Sequence, residues 1–478
     1  MSKHSKEIKV GLVDADLLDK GTRHPNLALL KIAGLLHDNN IDFELIVDSA
    51  ADITEYDHIF MSKVFTYTVE PMFYLNASEK DKLKFHIGGT GYYANEHDMK
   101  IFAAKREEDM LSLEKDSFLC SLRNKYGILQ KPFGIDMAHQ MPYYDLYKQY
   151  VYAKIGDVTG EELRKRRLRY KDYLDFSIGF LTRKCYRHCP FCVNRLEHGV
   201  EEYSRLEWFY DKTKPHVYFW DDNFLAAPKR IWKPLLQQLI DGRISFQFRQ
   251  GLDERQFAES PDGEEMAMML SKARYHGDYI FAFDNWRDRK VICKALKIWK
   301  KYNPKASTKF YLFCGFRQTA DDKKRFYVDI RELFQRIKVL MQYGCIGYIM
   351  RHEDYNNSPI PNLYVQIARW CNQPAFYKKM SFWEFCYMNQ SYWEANLSPA
   401  IKETFSFLLS GRQKLKSFED FMEDVNSGFY NRVKMCRPLA TILKAIDMFP
   451  EKREEIISMF SYKFCDLNSS QNREENGK

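Results

Sequence analysis

The sequence contains little that would place it in a membrane or outside the cell. Among its 478 residues no apolar run approaches the roughly 20 residues needed to span a bilayer. Its start, MSKHSKEIKVGLVDAD, lacks the long apolar region and the small-residue cleavage site of a secretory signal. We therefore expect a cytoplasmic protein without a membrane partner, in which the eleven cysteines are reduced thiols or metal ligands rather than disulfides.

The sequence also lacks internal repeats and has only a mild excess of basic charge. A net charge of +8 permits an anionic substrate or a nucleic acid without requiring either. The sharpest local excess is EELRKRRLRYKD at 161–172, which we interpret as a solvated linker helix in preference to a nucleic-acid contact. A chain of 478 residues that is 45% hydrophobic predicts two or three domains with substantial cores.

The first 145 residues alternate short apolar runs with helical patterns. KVGLVDAD, FELIVD and YDHIFMSKV indicate strands, and KFHIGGTGYY indicates a strand that ends in a tight glycine-rich turn. HPNLALLKIAGLLHDNN indicates a helix with Pro25 at its first position. Strands separated by helices imply parallel pairing. We expect an α/β Rossmann-like, doubly wound domain over 1–145, followed by a basic linker over 146–172.

A second alternation occupies residues 173–375. Six apolar runs, mostly separated by helical patterns, predict a partial (β/α)6 barrel of the TIM type, whose open flank would admit a bulky substrate. Residues 376–465 lack strand patterns and predict a helical C-terminal extension, and the polar tail over 466–478 is expected to be disordered. The six predicted strands are 176–181, 216–220, 244–249, 279–283, 310–314 and 345–350.

Three of the cysteines are crowded into GFLTRKCYRHCPFCVNRLEHG, directly after the first of these six strands. The spacing CxxxCxxC places Cys185, Cys189 and Cys192 in the loop at the carboxyl end of the strand, where barrel active sites form. Structural zinc normally takes two separated pairs of ligands, although His188 or His198 is a candidate fourth ligand. Three thiolates alternatively hold three irons of a 4Fe–4S cluster and leave one iron open. The residue types alone admit both metals.

In this arrangement the sequence resembles the radical SAM (S-adenosyl-L-methionine) superfamily. The identifying motif of that superfamily is CxxxCxΦC after the first strand of a partial barrel, and the aromatic position Φ is Phe191 here. The resemblance implies a 4Fe–4S cluster on the three cysteines and S-adenosyl-L-methionine (SAM) on the open iron. It further implies reductive cleavage of SAM to a 5′-deoxyadenosyl radical that acts on a substrate, with a one-electron reductant such as a flavodoxin or ferredoxin.

Polar residues follow the other strands of the predicted barrel. The resemblance implies SAM contacts from Asp222 and Asn223 after the second strand, from Arg249 after the third, and from Asp284 and Asn285 after the fourth. The alternative for each is a helix cap or a loop salt bridge, because Asp and Asn are common where a strand leads into a helix.

Arg351 and Glu353, after the sixth strand, are candidates for contact with the substrate. The open barrel and the basic linker favour a macromolecule such as RNA or a peptide over a small metabolite. Two alternatives to an otherwise unspecified radical SAM reaction stay open. One is a radical SAM methyltransferase or RNA-modifying enzyme, and the other is a non-catalytic zinc-binding interaction protein.

The front domain resembles the cobalamin-binding domains that precede some radical SAM barrels. Their cobalt-ligating motif, DxHxxG, is missing from DADLLDKGTRHPN, where His24 stands at the wrong spacing, so cobalamin is not expected. Only Cys120 precedes the motif, which argues against the second cluster of methylthiotransferases. HPNLALLKIAG, HIGGTGYY, QGLDERQF and FAFDNW together resemble a bacterial and phage group of radical SAM proteins whose front domain lacks the cobalt-ligating histidine.

Overall fold

The structure, a computed structural model, is that of a mixed α/β protein with parallel sheets. It describes residues 8–92, 137–195, 197–395, 417–428, 430 and 435–468. The chain forms two compact units, one from Met1–Gln250 with Lys272–His276 and one from Gly251–Ser271 with Gly277–Lys478. The described residues do not include Cys120, residues 396–416 of the predicted helical extension, or residues 469–478 of the predicted tail.

The first unit contains a four-stranded sheet in which every pairing is parallel, as the alternation of strands and helices predicts. The strand order is β2-β1-β3-β4. Strand β1 is central and buried, and its Val10 lies opposite Phe43 on one side and His58 on the other. The strands are β1 (Lys9–Asp14), β2 (Asp42–Leu45), β3 (His58–Ser62) and β4 (Phe85–Gly88).

The helix Leu27–Asp38 packs its apolar face against this sheet. Leu29, Ala33 and Leu36 are fully buried in one cluster with Val10 and Leu12 of β1. The helix begins one residue after Asn26, whose side-chain oxygen accepts a hydrogen bond from the backbone N–H of Leu29 at 3.3 Å. The prediction that Pro25 occupies the first helical position is therefore wrong, because Pro25 precedes the capping residue. Shorter helices follow β1 and β3, at Ala15–Asp19, Met72–Leu75 and Glu79–Lys82.

The glycine-rich turn after β4 brings two segments of backbone into close contact. Gly89 has a φ of 110°, which L side chains rarely adopt. A Cβ atom at this position would lie 2.1 Å from the carbonyl oxygen of Lys63. The prediction of a tight turn is confirmed.

A second parallel sheet of the first unit has the strand order β5-β8-β9. The buried rings of Phe176 and Tyr218 stack across β5 and β8 with centroids 3.6 Å apart. Tyr144 holds the preceding segment to β5, because its hydroxyl donates to the carbonyl of Phe209 at 2.6 Å and accepts from the N–H of Ile178 at 2.8 Å. The strands are β5 (Phe176–Gly179), β8 (His216–Phe219) and β9 (Phe246–Phe248), with an antiparallel pair β6 (Thr182–Arg183) and β7 (Glu201–Glu202) after β5.

The remaining helices of the first unit precede the strands of this sheet in the sequence or lie between them. The basic segment forms the helix Gly160–Arg169, which has no buried residue, as predicted for a solvated linker. In that helix Arg164 and Arg166 pair with Glu161 and Glu162 of the first turn. The other helices are Lys148–Ile155, Lys171–Leu174 and Lys229–Asp241.

The second unit contains a three-stranded parallel sheet in the order β10-β11-β12. The fully buried Arg336 ties two of these strands at their carboxyl ends. Its Nη1 donates to the carbonyls of Phe283, Asp284 and Phe313 at 2.7, 3.1 and 3.0 Å. The strands are β10 (Tyr279–Ala282), β11 (Thr308–Cys314) and β12 (Ile346–Arg351).

Helices make up most of the rest of the second unit, including the described part of the C-terminal region, as predicted. Within the described ranges, no helix combines the length and the apolar character needed to cross a membrane. The helices are Gln256–Glu259, Gly263–Lys272, Arg289–Tyr302, Lys323–Gln342, Pro361–Cys371, Pro374–Tyr377, Phe382–Ala395, Phe418–Asn426, Arg437–Met448 and Arg453–Phe460.

Candidate functional site

The three crowded cysteines lie in one tight loop that follows β6. Cys185, Cys189 and Cys192 are each partly exposed to solvent. The loop turns sharply, since Lys184 and His188 have φ values of 74° and 48° in the left-handed region. A backbone hydrogen bond of 2.9 Å runs from the N–H of Cys192 to the carbonyl of Cys189. The backbone therefore folds the three cysteines into one compact segment.

Hydrogen-bond donors point at two of the sulfur atoms. The Sγ of Cys185 accepts from the backbone N–H of Arg187 at 3.5 Å and from the side-chain Nδ2 of Asn223 at 3.4 Å. The Sγ of Cys192 accepts from the backbone N–H of Asn194 at 3.4 Å. Burial raises the pKa of the Cys192 thiol, and the N–H of Asn194 opposes that shift. Such N–H donors suit sulfur in its thiolate form, which is the form that binds metals.

The end of β8 anchors the start of the cysteine loop. The carboxylate of Asp221 accepts from the N–H of Leu181 at 3.1 Å, and from the N–H and the hydroxyl of Thr182 at 2.6 and 2.7 Å. Asp222 accepts from the N–H of Lys184 at 2.9 Å and lies 3.5 Å from Nε of Arg183. Burial raises the pKa of Asp221 to about 7, although its three donors oppose that shift. Asp221 and Asp222 thus fix the backbone that leads to Cys185.

Two of the predicted SAM contacts, Asp222 and Asn223, therefore lie directly against the cysteine loop. Asp222 accepts a hydrogen bond from the backbone of the loop at Lys184, and Asn223 donates one to the Sγ of Cys185. It was not predicted that Asp221 anchors the start of the cysteine loop. The signal for it was present in the Asp-Asp-Asn sequence, whose first residue directly follows the predicted strand 216–220.

Arg249, the third predicted SAM contact, belongs to a second group of polar residues in the same unit. Its Nη2 lies 3.2 Å from Nε2 of His24 and 3.7 Å from Oδ2 of Asp172, and its guanidinium lies 4.7 Å above the ring of Tyr218. The side chains of His24 and Arg249 are 30% and 29% exposed, so both retain access to solvent. Neither His24 nor Asp172 was predicted as a site residue, since no local spacing connects them to β9.

The remaining predicted site residues lie in the second unit. Asp284, after β10, is partly buried and accepts from the N–H of Phe313 at 3.2 Å. Burial raises its pKa, and Arg336 opposes that shift. Asn285 caps the following helical turn through the N–H of Arg287 at 3.0 Å, which is the capping role considered as the alternative.

The two candidate substrate contacts in the second unit are accessible to solvent. Arg351 is the last residue of β12, and its guanidinium lies 4.6 Å above the ring of Tyr355. Glu353 begins the next helical turn, Glu353–Asn357, and is exposed. The structure thus leaves both side chains available for a ligand.

Among the residues that the structure describes, no three His, Cys, Asp or Glu side chains are arranged to hold one metal ion. The histidines next to the motif are both exposed, and Nδ1 of His188 lies 2.8 Å from the carbonyl oxygen of Arg195. No protein-family model matches the chain, and no curated protein matches it. The function is therefore inferred from the residues of the site alone.

Proposed function

We propose that the protein is a radical SAM enzyme that holds a 4Fe–4S cluster on Cys185, Cys189 and Cys192. The observation that carries the proposal is the cysteine loop itself, which follows β5 and is anchored by the Asp-Asp-Asn segment at the end of the neighbouring parallel strand β8. The carboxyl ends of parallel strands are the edge at which α/β proteins bind ligands.

The finer fold is part of the same proposal. We assign residues 1–145 to a Rossmann-like domain and residues 173–375 to a partial (β/α)6 barrel, with the linker over 146–172 and a helical extension over 376–465. The parallel order β2-β1-β3-β4 supports the first assignment, and the two sets of three parallel strands support the second.

The donor set fits an iron–sulfur cluster with one open iron. Three thiols come from one short loop, and three N–H groups donate to two of the sulfurs at 3.4–3.5 Å. Hydrogen bonds to ligand sulfurs hold them in place and tune the potential of a cluster. When bound, the cluster supplies the electron for reductive cleavage of SAM, which yields methionine and a 5′-deoxyadenosyl radical.

A 4Fe–4S cluster takes one thiolate on each of three irons, so the three cysteine side chains have to face one common volume when the cluster is loaded. The tight turns at Lys184 and His188 and the anchors at Asp221 and Asp222 limit how far the loop has to move. Metal binding organises ligands at the expense of binding free energy. We therefore expect the loop to become more ordered upon reconstitution.

The contacts to the cofactor and to the substrate are part of the same proposal. We assign SAM contacts to Asp222, Asn223, Arg249, Asp284 and Asn285, and substrate contacts to Arg351 and Glu353. A flavodoxin or ferredoxin would supply the electron. A macromolecular substrate such as RNA or a peptide suits the exposed basic helix Gly160–Arg169.

Anaerobic reconstitution with iron and sulfide tests the proposal. The expected product is brown protein with a 4Fe–4S complement of iron and sulfide, which forms 5′-deoxyadenosine when SAM and dithionite are added. Cys185→Ala, Cys189→Ala and Cys192→Ala should each abolish this reaction, whereas the matched control Cys465→Ala, at an exposed cysteine, should retain it. Colourless protein that carries zinc would contradict the proposal, and S-adenosylhomocysteine among the products would indicate methyl transfer.

A further inference from the structure

His24 extends from the loop after β1 of the four-stranded sheet to the ends of β8 and β9. Its Nδ1 lies 2.5 Å from Oδ2 of Asp172, and its Nε2 lies 3.2 Å from Nη2 of Arg249. Its ring also meets the ring of Trp220 edge to face, with centroids 5.5 Å apart. Trp220 directly precedes Asp221, the main anchor of the cysteine loop. His24 therefore lies beside the candidate site, although it is distant from it in the sequence.

Both ring nitrogens of His24 lie against charged side chains. A guanidinium only donates hydrogen bonds, so Nε2 of His24 accepts from Arg249. Nδ1, the other ring nitrogen, faces the carboxylate of Asp172. Burial opposes ionisation of Asp172, but the hydrogen bond from His24 and the charge of Arg249 hold its pKa below its ordinary value. Asp172, His24 and Arg249 thus lie in one row of polar contacts that runs from a carboxylate to a guanidinium.

The surroundings hold this chain in one geometry. The N–H of His24 donates to Oγ1 of Thr22 at 3.0 Å, and the hydroxyl of the buried Tyr173 donates to the carbonyl of Thr22 at 3.1 Å. The hydroxyl of Tyr218 donates to the other oxygen of Asp172 at 3.3 Å. Leu27, three residues after His24, packs with Trp220 against the core of β5 and β8.

We infer that His24 and Asp172 are positioning residues that fix the guanidinium of Arg249 to bind the methionine carboxylate of SAM. The inference rests on the proposed function and assigns a role to the front sheet, which supplies His24 to the site. A planar guanidinium binds a carboxylate through two parallel hydrogen bonds, and the geometry of that contact depends on its orientation. A guanidinium that is already oriented loses less conformational entropy upon binding.

The test compares the affinity of the reconstituted, unreduced protein for SAM and for its decarboxylated analogue. His24→Ala should raise the Kd for SAM by up to about tenfold, because the guanidinium of Arg249 then has to be ordered upon binding. It should leave the Kd for the decarboxylated analogue unchanged. His24→Gln, whose amide both donates and accepts, should restore the affinity to within about threefold. The control His37→Ala removes an exposed histidine beside Asp38 and should change nothing.

A double-mutant cycle separates positioning from a general structural effect. Because His24 acts through Arg249, His24→Ala should not weaken SAM binding further in an Arg249→Ala background. Additive effects, an unchanged Kd in His24→Ala, or equal weakening for both ligands would overturn the inference. Wild-type protein that holds no cluster or does not bind SAM would overturn the proposed function as well. That result is distinguishable, because it is seen before any substitution is made.

Discussion

Replacing Asp221 by alanine measures how firmly the end of β8 holds the cysteine loop. Asp221 is only 1% exposed, and its carboxylate accepts from Leu181 at 3.1 Å and twice from Thr182 at 2.6 and 2.7 Å. A buried donor that loses its acceptor costs about 1–3 kcal/mol. Two of the donors are backbone N–H groups that cannot rotate toward other acceptors. The substitution should therefore reduce the local stability of this segment by about 2–5 kcal/mol.

Hydrogen exchange of a peptide spanning 179–184, followed by mass spectrometry, measures this loss. Because about 1.4 kcal/mol corresponds to tenfold in an equilibrium constant, protection should fall by about 30-fold or more. The same variant should bind less iron upon reconstitution. Asp241→Ala is the matched control, since Asp241 is an exposed carboxylate with a single described donor, Gln237, at 2.7 Å. Unchanged protection in Asp221→Ala, or an equal fall in Asp241→Ala, would refute the anchoring role.

Three further substitutions test the fold around the site. Burial raises the pKa of Asp14 from 3.8 to about 7, so the contribution of this carboxyl to stability is greatest below about pH 4 and is lost as the pH rises to about 7. Asp14→Asn should flatten denaturant-measured stability over that window, and a profile parallel to that of the wild type would contradict this. Tyr144→Phe removes the partly buried hydrogen bonds of this hydroxyl to Ile178 and Phe209 and should lower the unfolding free energy by about 1–3 kcal/mol in urea titrations. Arg336→Met leaves three strand-end carbonyls without their donor and should lower the unfolding free energy by about 2–4 kcal/mol. Arg325 is exposed on the same helix, and the control Arg325→Met should lower it by less than about 0.5 kcal/mol. Equal losses in the two arginine variants would contradict the role of Arg336.

The elements of the fold were predictable because buried strands and amphipathic helices leave local patterns. The run at 279–283 matches Tyr279–Ala282, and the run at 216–220 matches His216–Phe219. Their ends differ by a residue, since a strand ends where its neighbour stops pairing. Pro25 shows the limit of a local rule, because Asn26 offers a side-chain oxygen to the helix and so sets its start. The Rossmann-like and barrel assignments are finer than these patterns and stay predictions.

The candidate site was predictable only where it is local in the sequence. The spacing of Cys185, Cys189 and Cys192 predicted the cysteine loop, and the structure adds the hydrogen-bond donors around its sulfur atoms. The partnership of His24 and Arg249 spans 225 residues and arises from tertiary packing, so no spacing rule reveals it. Asp222 and Asn223 were assigned to ligand contact, because a sequence does not show whether a polar side chain faces a ligand or the backbone of a neighbouring loop.

The hydrogen bonds of Tyr144 limit how the gene for this protein can be shortened. Tyr144 belongs to the part of the chain before the predicted barrel, yet its hydroxyl accepts from the N–H of Ile178 in β5 and donates to the carbonyl of Phe209. A fragment that starts at residue 146 would leave the N–H of Ile178 and the carbonyl of Phe209 without this partner, and it would also lack His24. The cysteine motif and the front sheet should therefore be expressed as one polypeptide, and we expect them to stay together in one gene.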